Sequence, residues 1–499
     1  MNHDAASDAA QARHGWRVLS VTALGVSLCF INASTLHVAL PLLAHDLGAG
    51  PEAASWILLS YMLVITVLIL VFGRLADLFG RRQLYLGGLV LLTLASVGCG
   101  LASSTPAMLV FRCLQAIGAA AVIANTTALV TDAFPPRLLG LGLGFNSTLS
   151  SAAQSLGPIV GGMVVTTLGW RSIFLLNLPL GIVAVLWAHR TLKDVVHKSP
   201  ESFDLVGALL SMLGLGGLVY ALSMGGPKGW SSAEVLIGGA ACVLGLLGFV
   251  WSQAVRRQPL VDLRLFADRE RATSYASVFL LCMAQTASVL LMAFFVQAVQ
   301  GADAFAAGLS VAPVPVGMMF ASALSGRYIG RYAALTLPTA GMALTSCGLV
   351  LLAGLLQPGI SPWLLGAGLA LIGLGTGLFL TSNNSAIMVS VTPQRRGIAN
   401  AIRSTMQNTG LVVGTALALS IAFAPLSPAA QRAAYAGQLS GSSPADIAAF
   451  VGGCRSALTV LAGCCLLGVA LSLRARQLLQ SPSPSPSPAL RSHPKDPAP

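Results

Sequence analysis

About fourteen apolar runs, each roughly 18 to 27 residues long, follow one another along the chain with few charges inside them. Runs of this length match the hydrocarbon core of a bilayer when wound as helices. Inside lipid a backbone must satisfy its own hydrogen bonds, which leaves helices or closed barrels. The runs are continuous rather than alternating, so a barrel is excluded. The expected fold class is an all-α polytopic membrane protein. Composition agrees: 55% of the 499 residues are hydrophobic and 9% charged, and a mean hydropathy of +0.79 lies outside the range of soluble domains of this size. The first run, 18–40, is too long for a signal-peptide core and lacks a small-residue cleavage site after it, so it reads as a retained helix with the N-terminus inside.

Charge placement is an independent test of that orientation, because short inner loops collect Lys and Arg. About 23 of the 28 basic residues fall on the inner side. Arg171, Lys228, Arg432 and Arg455 fall outside, and Arg112 lies within a span. The net charge of +12 therefore reflects loops facing anionic lipid and needs no nucleic acid. The nine cysteines sit in or beside apolar runs with no C-x-x-C spacing, and read as small packing residues.

Between the second and third runs stands GRLADLFGRR, Gly73 to Arg82, with four charges and two glycines in ten residues. It reads as a tight turn at the membrane surface in which Gly73 and Gly80 let one helix end and the next begin. Asp77 can pair with Arg74, Arg81 or Arg82, or cap the following helix. Gly326-Arg327 recurs about 253 residues after Gly73-Arg74, and Gly410 and Gly414 follow Gly157 and Gly161 at the same offset. The expected organisation is therefore a cytoplasmic N-terminus over 1–17, a six-helix bundle over 18–190, and two inserted helices over 204–253. A basic interfacial segment over 254–272, a second six-helix bundle over 273–474 and a disordered Pro/Ser-rich tail over 475–499 complete it.

Arg112 is the one charge placed deep in a span, at a cost of about 2.5–3.5 kcal/mol on insertion scales. Two readings stand: it faces a cavity, sharing hydrogen bonds with Gln115 one turn on, or it is tied to backbone carbonyls of a neighbouring span. No acidic residue falls deep in an apolar run, which gives any central cavity a positive bias suited to neutral or anionic amphipathic solutes. Gln154, Gln285, Asn383, Asn384, Gln407 and Asn408 are polar at cavity depth, and either contact substrate or bond helix to helix. Pro158 bends the fifth run, while Gly157, Gly161 and Gly162 let a neighbouring helix approach.

These segments carry a family resemblance. Gly73 to Arg82 resembles the loop motif G-x-L-A-D-x-x-G-R-R/K of the major facilitator superfamily, and FRCLQAIGAA, Phe111 to Ala120, resembles its fourth-span motif R-x-x-Q-G-x-G-A-A with Ala116 in place of the first glycine. The resemblance implies that Arg112 and Gln115 line a central cavity and take part in proton coupling. Gly157 to Gly162 resembles the antiporter motif G-P-x-x-G-G, and GWRSIFLLNLPLG, Gly169 to Gly181, resembles a stretch typical of the fourteen-span drug:proton antiporter branch. The implied fold is two six-helix bundles with two central helices inserted. INASTLHVALP, Ile31 to Pro41, aligns with that branch's L-D-x-T-I-V-N-V-A-L-P, but Asn32 replaces the membrane aspartate and His37 the asparagine. An amide exchanges no proton. His37 either takes the coupling role or is a histidine hydrogen-bonded near the outer end of its span.

A nucleotide-binding G-x-x-x-x-G-K-S/T segment is absent, as are H-E-x-x-H and G-x-S-x-G, so an ATP-driven pump, a metalloenzyme and a hydrolase have no motif support. The expected function is secondary active efflux of drugs, antibiotics or amphipathic metabolites by alternating access, in exchange for protons. The alternatives are a gradient-driven facilitator or symporter of a small organic solute, including an anionic one, and a sensor without flux. The fifth-span motif ranks export first. Asp77 and its arginine partners are expected to latch the inner side in the outward-facing state. No cofactor or metal is expected. The expected partners are a small-molecule substrate, protons and the lipid bilayer. The chain is expected to be a monomer, joined by a periplasmic adaptor where the envelope has two membranes. The arginine-rich basic set points to a GC-rich bacterial genome, and the expected location is the cytoplasmic (inner) membrane with both termini cytoplasmic.

Overall fold

The structure, a computed structural model, describes residues 2–135, 138–193, 204–256, 261, 263–328, 335–391 and 396–480. The first crossing is made of α1 (Asn2–Ser34) and α2 (Leu36–Asp46), broken at Thr35. Then come α3 (Pro51–Phe79), α4 (Arg81–Leu101), α5 (Thr105–Ala133) and α6 (Leu139–Leu168), followed by α7 (Trp170–Leu175) and α8 (Asn177–Thr191), which share one crossing. The central pair is α9 (Leu205–Lys228) and α10 (Ala233–Val255). The remaining elements are α11 (Arg269–Ala298), α12 (Ala304–Ser310), α13 (Pro313–Tyr328), α14 (Thr336–Leu355), α15 (Pro362–Val389), α16 (Arg396–Phe423), α17 (Pro428–Tyr435) and α18 (Pro444–Gln480). No strand occurs among the described residues.

Thirteen of the crossings are long and apolar enough to span a bilayer. Helix α6, whose apolar stretch Ala152–Leu168 is shorter, stands at the chain position of the remaining expected span. Three expected single spans are interrupted. Thr35 breaks the first, Leu176 the sixth, and Val311-Ala312 the tenth, where Pro313 and Pro315 cannot continue the amide ladder of α12. Helix α1 reaches back through most of the expected N-terminal segment to Asn2, and α18 runs past 475 to Gln480. The SPSPSPSP tail lies outside the described residues.

Successive crossings alternate, so the turn at Gly80 and the start of α16 share one membrane face, while Gly169 and α17 share the other. At the Gly80 turn the structure corrects the sequence reading. Gly73 does not end a helix: α3 continues through it to Phe79, and Gly80 alone makes the turn, with φ +97°. An L side chain rarely adopts that backbone, which is why glycine stands there.

Burial separates a centre from a rim. The most apolar window of α11 is 89% buried inside the protein and that of α10 only 11%, so α11 is an interior helix and α10 faces lipid. Helix α6 lies against α1 where Gly157 and Gly161 face Ser34 and Thr35, and a Cβ on either would collide with them. Helix α16 lies against α11 in the same way, Gly410 and Gly414 abutting the Phe279 and Met283 carbonyls. With no hydrophobic force between helices in lipid, such backbone approaches supply the van der Waals contact. Helix α9 packs on α10, α3 and α16.

At the Gly80 face, Asp204 caps α9 through a 2.8 Å bond from the Gly207 amide. It also accepts from Gln253 Nε2 at 2.8 Å and pairs with Arg256 at 3.1 Å. The Val261 amide donates to Gln253 Oε1 at 3.0 Å. The central pair is thereby pinned to the segment leading into α11. At the opposite face, α17 folds inward, and Tyr435 stacks on Phe423 with centroids 4.2 Å apart. Its hydroxyl shares a 2.5 Å hydrogen bond with the Ser55 hydroxyl of α3.

Candidate functional site

Three polar groupings stand in the interior. The first surrounds Arg112, 1% exposed on α5. Its Nη1 donates to Gln115 Oε1 at 2.6 Å, its Nε donates to the Ile57 carbonyl of α3 at 3.2 Å, and its guanidinium carbon lies 4.1 Å from the Tyr61 ring centroid. Gln115 Nε2 passes the network on, donating to Ser96 Oγ at 2.7 Å and Asn32 Oδ1 at 3.2 Å. Asn177 Nδ2, at the start of α8, donates to the same Asn32 oxygen at 2.6 Å. Asn32 Nδ2 donates to the Leu28 carbonyl at 2.9 Å. Arg112 is thus tied to a span-two carbonyl and to Gln115, and it is buried rather than among the residues that line the cleft described next. No carboxylate among the described residues pairs with it.

Asn177 and Ser96 join this network without having been singled out from the sequence. Asn177 lies inside the Gly169–Gly181 motif, where a polar residue in an apolar stretch was the available signal. The Asn32 amide has both ends engaged, its oxygen accepting two bonds and its nitrogen donating one.

The second grouping is a narrow cleft lined by Ser34, His37, Gln154, Pro158, Gln285 and Val311, among others. It joins the α1–α2 break and α6 to α11 and the α12–α13 break. His37 is 4% exposed, and neither ring nitrogen has a hydrogen-bond partner. Leaving a buried polar group unpaired costs about 1–3 kcal/mol, so the ring carries unmet hydrogen-bonding capacity into the cleft. Gln285 is buried and makes one weak contact, Nε2 to Met318 Sδ at 3.8 Å. On the rim nearest α12, Gly162 meets the Ala304 carbonyl and Gly308 the Pro158 carbonyl, each too close for a Cβ. The four motif residues Gly157, Pro158, Gly161 and Gly162 therefore sit at the contact of α6 with two partners, the α1–α2 break and α12.

The third grouping lies toward the Gly80 face on α16. Arg403, half-buried, donates from Nη1 to Gln407 Oε1 at 2.8 Å and from Nε to Asn400 Oδ1 at 3.1 Å. The Arg112 assignment as the one intramembrane charge is corrected here: Arg403 is the eighth residue of α16 and lies within the expected thirteenth span. The adjoining basic cluster Arg395-Arg396 makes it read as a continuation of the loop. Asn383 and Asn384 are not brought to the cleft: Asn383 Nδ2 donates to the Ser274 carbonyl of α11 at 3.4 Å, and the Oδ1 atoms of both are buried without a partner. Asn408 Nδ2 donates back to the Ser404 carbonyl at 2.8 Å.

At the Gly80 turn, Arg81 Nη1 donates to both carboxylate oxygens of Asp132 at the end of α5, at 2.8 and 2.7 Å. Arg82 donates to the His189 carbonyl at 3.2 Å. The side chains of Arg74 and Asp77 lie outside the described residues, so the expected latch on Asp77 does too. Among the described residues no group of three His, Cys, Asp or Glu could hold a metal ion.

Multidrug resistance protein Stp of Mycobacterium tuberculosis is 34% identical over 410 residues, covering 82% of this chain and 76% of the relative. The methylenomycin A resistance protein of Bacillus subtilis is 30% identical over 404 residues, covering 81% and 86%. A solved bacterial homolog of the human lysosomal transporter Spinster, inward-facing and unoccupied, shares the fold, with a TM-score of 0.64 at 17% identity over 95% of this chain and 99% of that one. The family profile of the Major Facilitator Superfamily matches residues 22–415, and by that match the chain belongs to this superfamily: it is a multi-pass membrane transporter and not an enzyme.

Proposed function

We propose that the chain is a secondary active exporter of drugs, antibiotics or amphipathic metabolites, and that it exchanges them for protons in the cytoplasmic membrane of a bacterium. In this reading the bundles 18–190 and 273–474 rock about the α6–α12 contact, and the Gly80 face, with both termini, is cytoplasmic. The observation that carries the reading is His37, a buried and unpartnered imidazole in a cleft shared by elements from both ends of the chain. A proton carrier in an alternating-access transporter must be sheltered in one state and reachable in another, and imidazole is the neutral side chain that titrates in the physiological range. The resistance functions named for the two relatives support export over uptake.

Arg112 serves as a fixed charge that holds Gln115 and Asn32 in register beside the cleft. The test uses everted membrane vesicles carrying a respiration-driven pH gradient, challenged with a panel of cationic, neutral and anionic antibiotics. A transported compound dissipates the gradient in wild-type vesicles and fails to do so with His37→Gln. Gradient dissipation undiminished in His37→Gln overturns the coupling role. Labelled compound that crosses without proton movement replaces antiport with facilitated diffusion.

A further inference from the structure

We infer that the substrate is an amphipathic organic anion and that Arg403 is the station that receives it near the Gly80 face. This rests on the transport reading above and deepens it by assigning the charge of the substrate.

Arg403 stands seven residues into α16, about 10 Å from the start of the helix at 1.5 Å per residue. It is not fully buried, and its exposed part is what an incoming solute would meet. Its three acceptors are neutral and belong to its own helix: Asn400 Oδ1, Gln407 Oε1 and, at 3.4 Å, Ser404 Oγ. A guanidinium carries five N–H donors, so part of the fork stays open after these bonds. Neutral acceptors satisfy hydrogen bonds without cancelling charge, and no carboxylate among the described residues pairs with Arg403. The planar fork matches a carboxylate or sulfonate in two-pronged fashion, better than any neutral group can.

Position puts this charge on the transport path. Asn400, which holds Arg403 Nε, donates from Nδ2 to Thr127 Oγ1 of α5 at 3.4 Å, so the station sits where α16 faces the first half of the chain. Arg112 is likewise the eighth residue of its helix, but α5 begins at the opposite face. One guanidinium without a carboxylate partner therefore lies about 10 Å inside each face. Between them stand amides, hydroxyls and His37, while the described acidic residues keep to helix ends and turns. The fixed field along this route is positive, which concentrates anions and repels lipophilic cations.

The test is transport by the full chain in proteoliposomes under an imposed pH gradient, with accumulation measured by mass spectrometry. The probes are 1-anilinonaphthalene-8-sulfonate, the neutral N-phenyl-1-naphthylamine, which has the same rings without the sulfonate, and the cation tetraphenylphosphonium. Wild type is expected to move the sulfonate fastest and the cation slowest. Arg403→Gln is expected to lower the sulfonate-to-neutral rate ratio at least tenfold, and Arg403→Lys, which keeps the charge, to hold it within about threefold. A ratio unchanged in Arg403→Gln, or a wild type that prefers the cation, overturns the inference. Movement of the neutral probe and cation without the sulfonate defeats the anion station and leaves transport standing, whereas movement of none of the three defeats both. If Arg403→Gln does not assemble, the wild-type ordering of the three probes decides.

Discussion

The hydrogen bonds at Asn32 are those a neutral carboxylic acid would make, and this predicts how proton coupling can be moved within the molecule. Asn32 Oδ1 accepts from Gln115 and Asn177, and Nδ2 donates to the Leu28 carbonyl at 2.9 Å. In Asn32→Asp, a protonated carboxyl keeps all three bonds, with O–H replacing N–H. Once ionised, the side chain sets an anionic oxygen against the Leu28 carbonyl, at a cost of about 1–3 kcal/mol for the lost bond and the opposed lone pairs. The attraction of Arg112, one glutamine side chain away, offsets this by about 3 kcal/mol if taken at ~6 Å with an effective dielectric constant of ~20. The two terms are of similar size, so the burial cost of a charged carboxylate at this 3% exposed position decides: the protonated form holds while the site is closed, and the proton can leave when the site opens to water. Asn32→Asp should therefore restore gradient-driven export to a His37→Gln protein. The assay is pH-gradient dissipation in everted vesicles, using whichever of the three probes wild type moves fastest, with His37→Gln and the double variant compared directly. A double variant that moves the probe down its own gradient but stays as uncoupled as His37→Gln refutes the reasoning, because it would be folded and still unable to use the carboxylate.

Three further outcomes are expected. Tyr435→Phe removes the hydrogen bond to Ser55 and spares the ring cluster, weakening closure at the α17 face by about 1 kcal/mol; a cysteine placed at Ser34 in a cysteine-depleted background should be alkylated from that face roughly fivefold faster. Gly162→Ala drives a methyl group into the Ala304 carbonyl and should cost about 1–3 kcal/mol of thermal stability together with transport, while Gly239→Ala, which meets nothing within 4 Å, should behave as wild type in the same melting and flux measurements. Asp204→Ala removes a helix cap, a bond from Gln253 and an ion pair to Arg256, and should lower stability by about 2–3 kcal/mol, with faster protease cleavage in the connection before α11.

The membrane architecture was legible because hydrophobic length and charge asymmetry are properties of the chain itself, and each apolar run became a helix or a pair of helices. The breaks at Val311-Ala312 and Leu176 had a signal in Pro313, Pro315 and Pro179, which cannot donate to the preceding turn, whereas Thr35 has no proline within the next turn to mark it. Asn32, Arg112 and Gln115 could be grouped from a motif, but Asn177 enters from 145 residues away and only the packing of α8 on α1 brings it in. Arg403 was hidden by the basic loop in front of it. The helical period offered the missing signal, since it stands one turn before Gln407, itself recognised as polar at cavity depth. Gly73 was misread because a glycine among charges looks like a turn, whereas α3 has enough good helix formers on either side to pass through it.

Helix α9 touches both α3, from the first half of the chain, and α16, from the second. The seam between the halves is therefore walled off from the bilayer on that flank. A solute dissolved in the lipid meets the central pair there instead of the cleft, while on the opposite flank the seam is closed by the direct contact of α6 with α12 and α13. The two added helices thus give the membrane around this protein a front and a back.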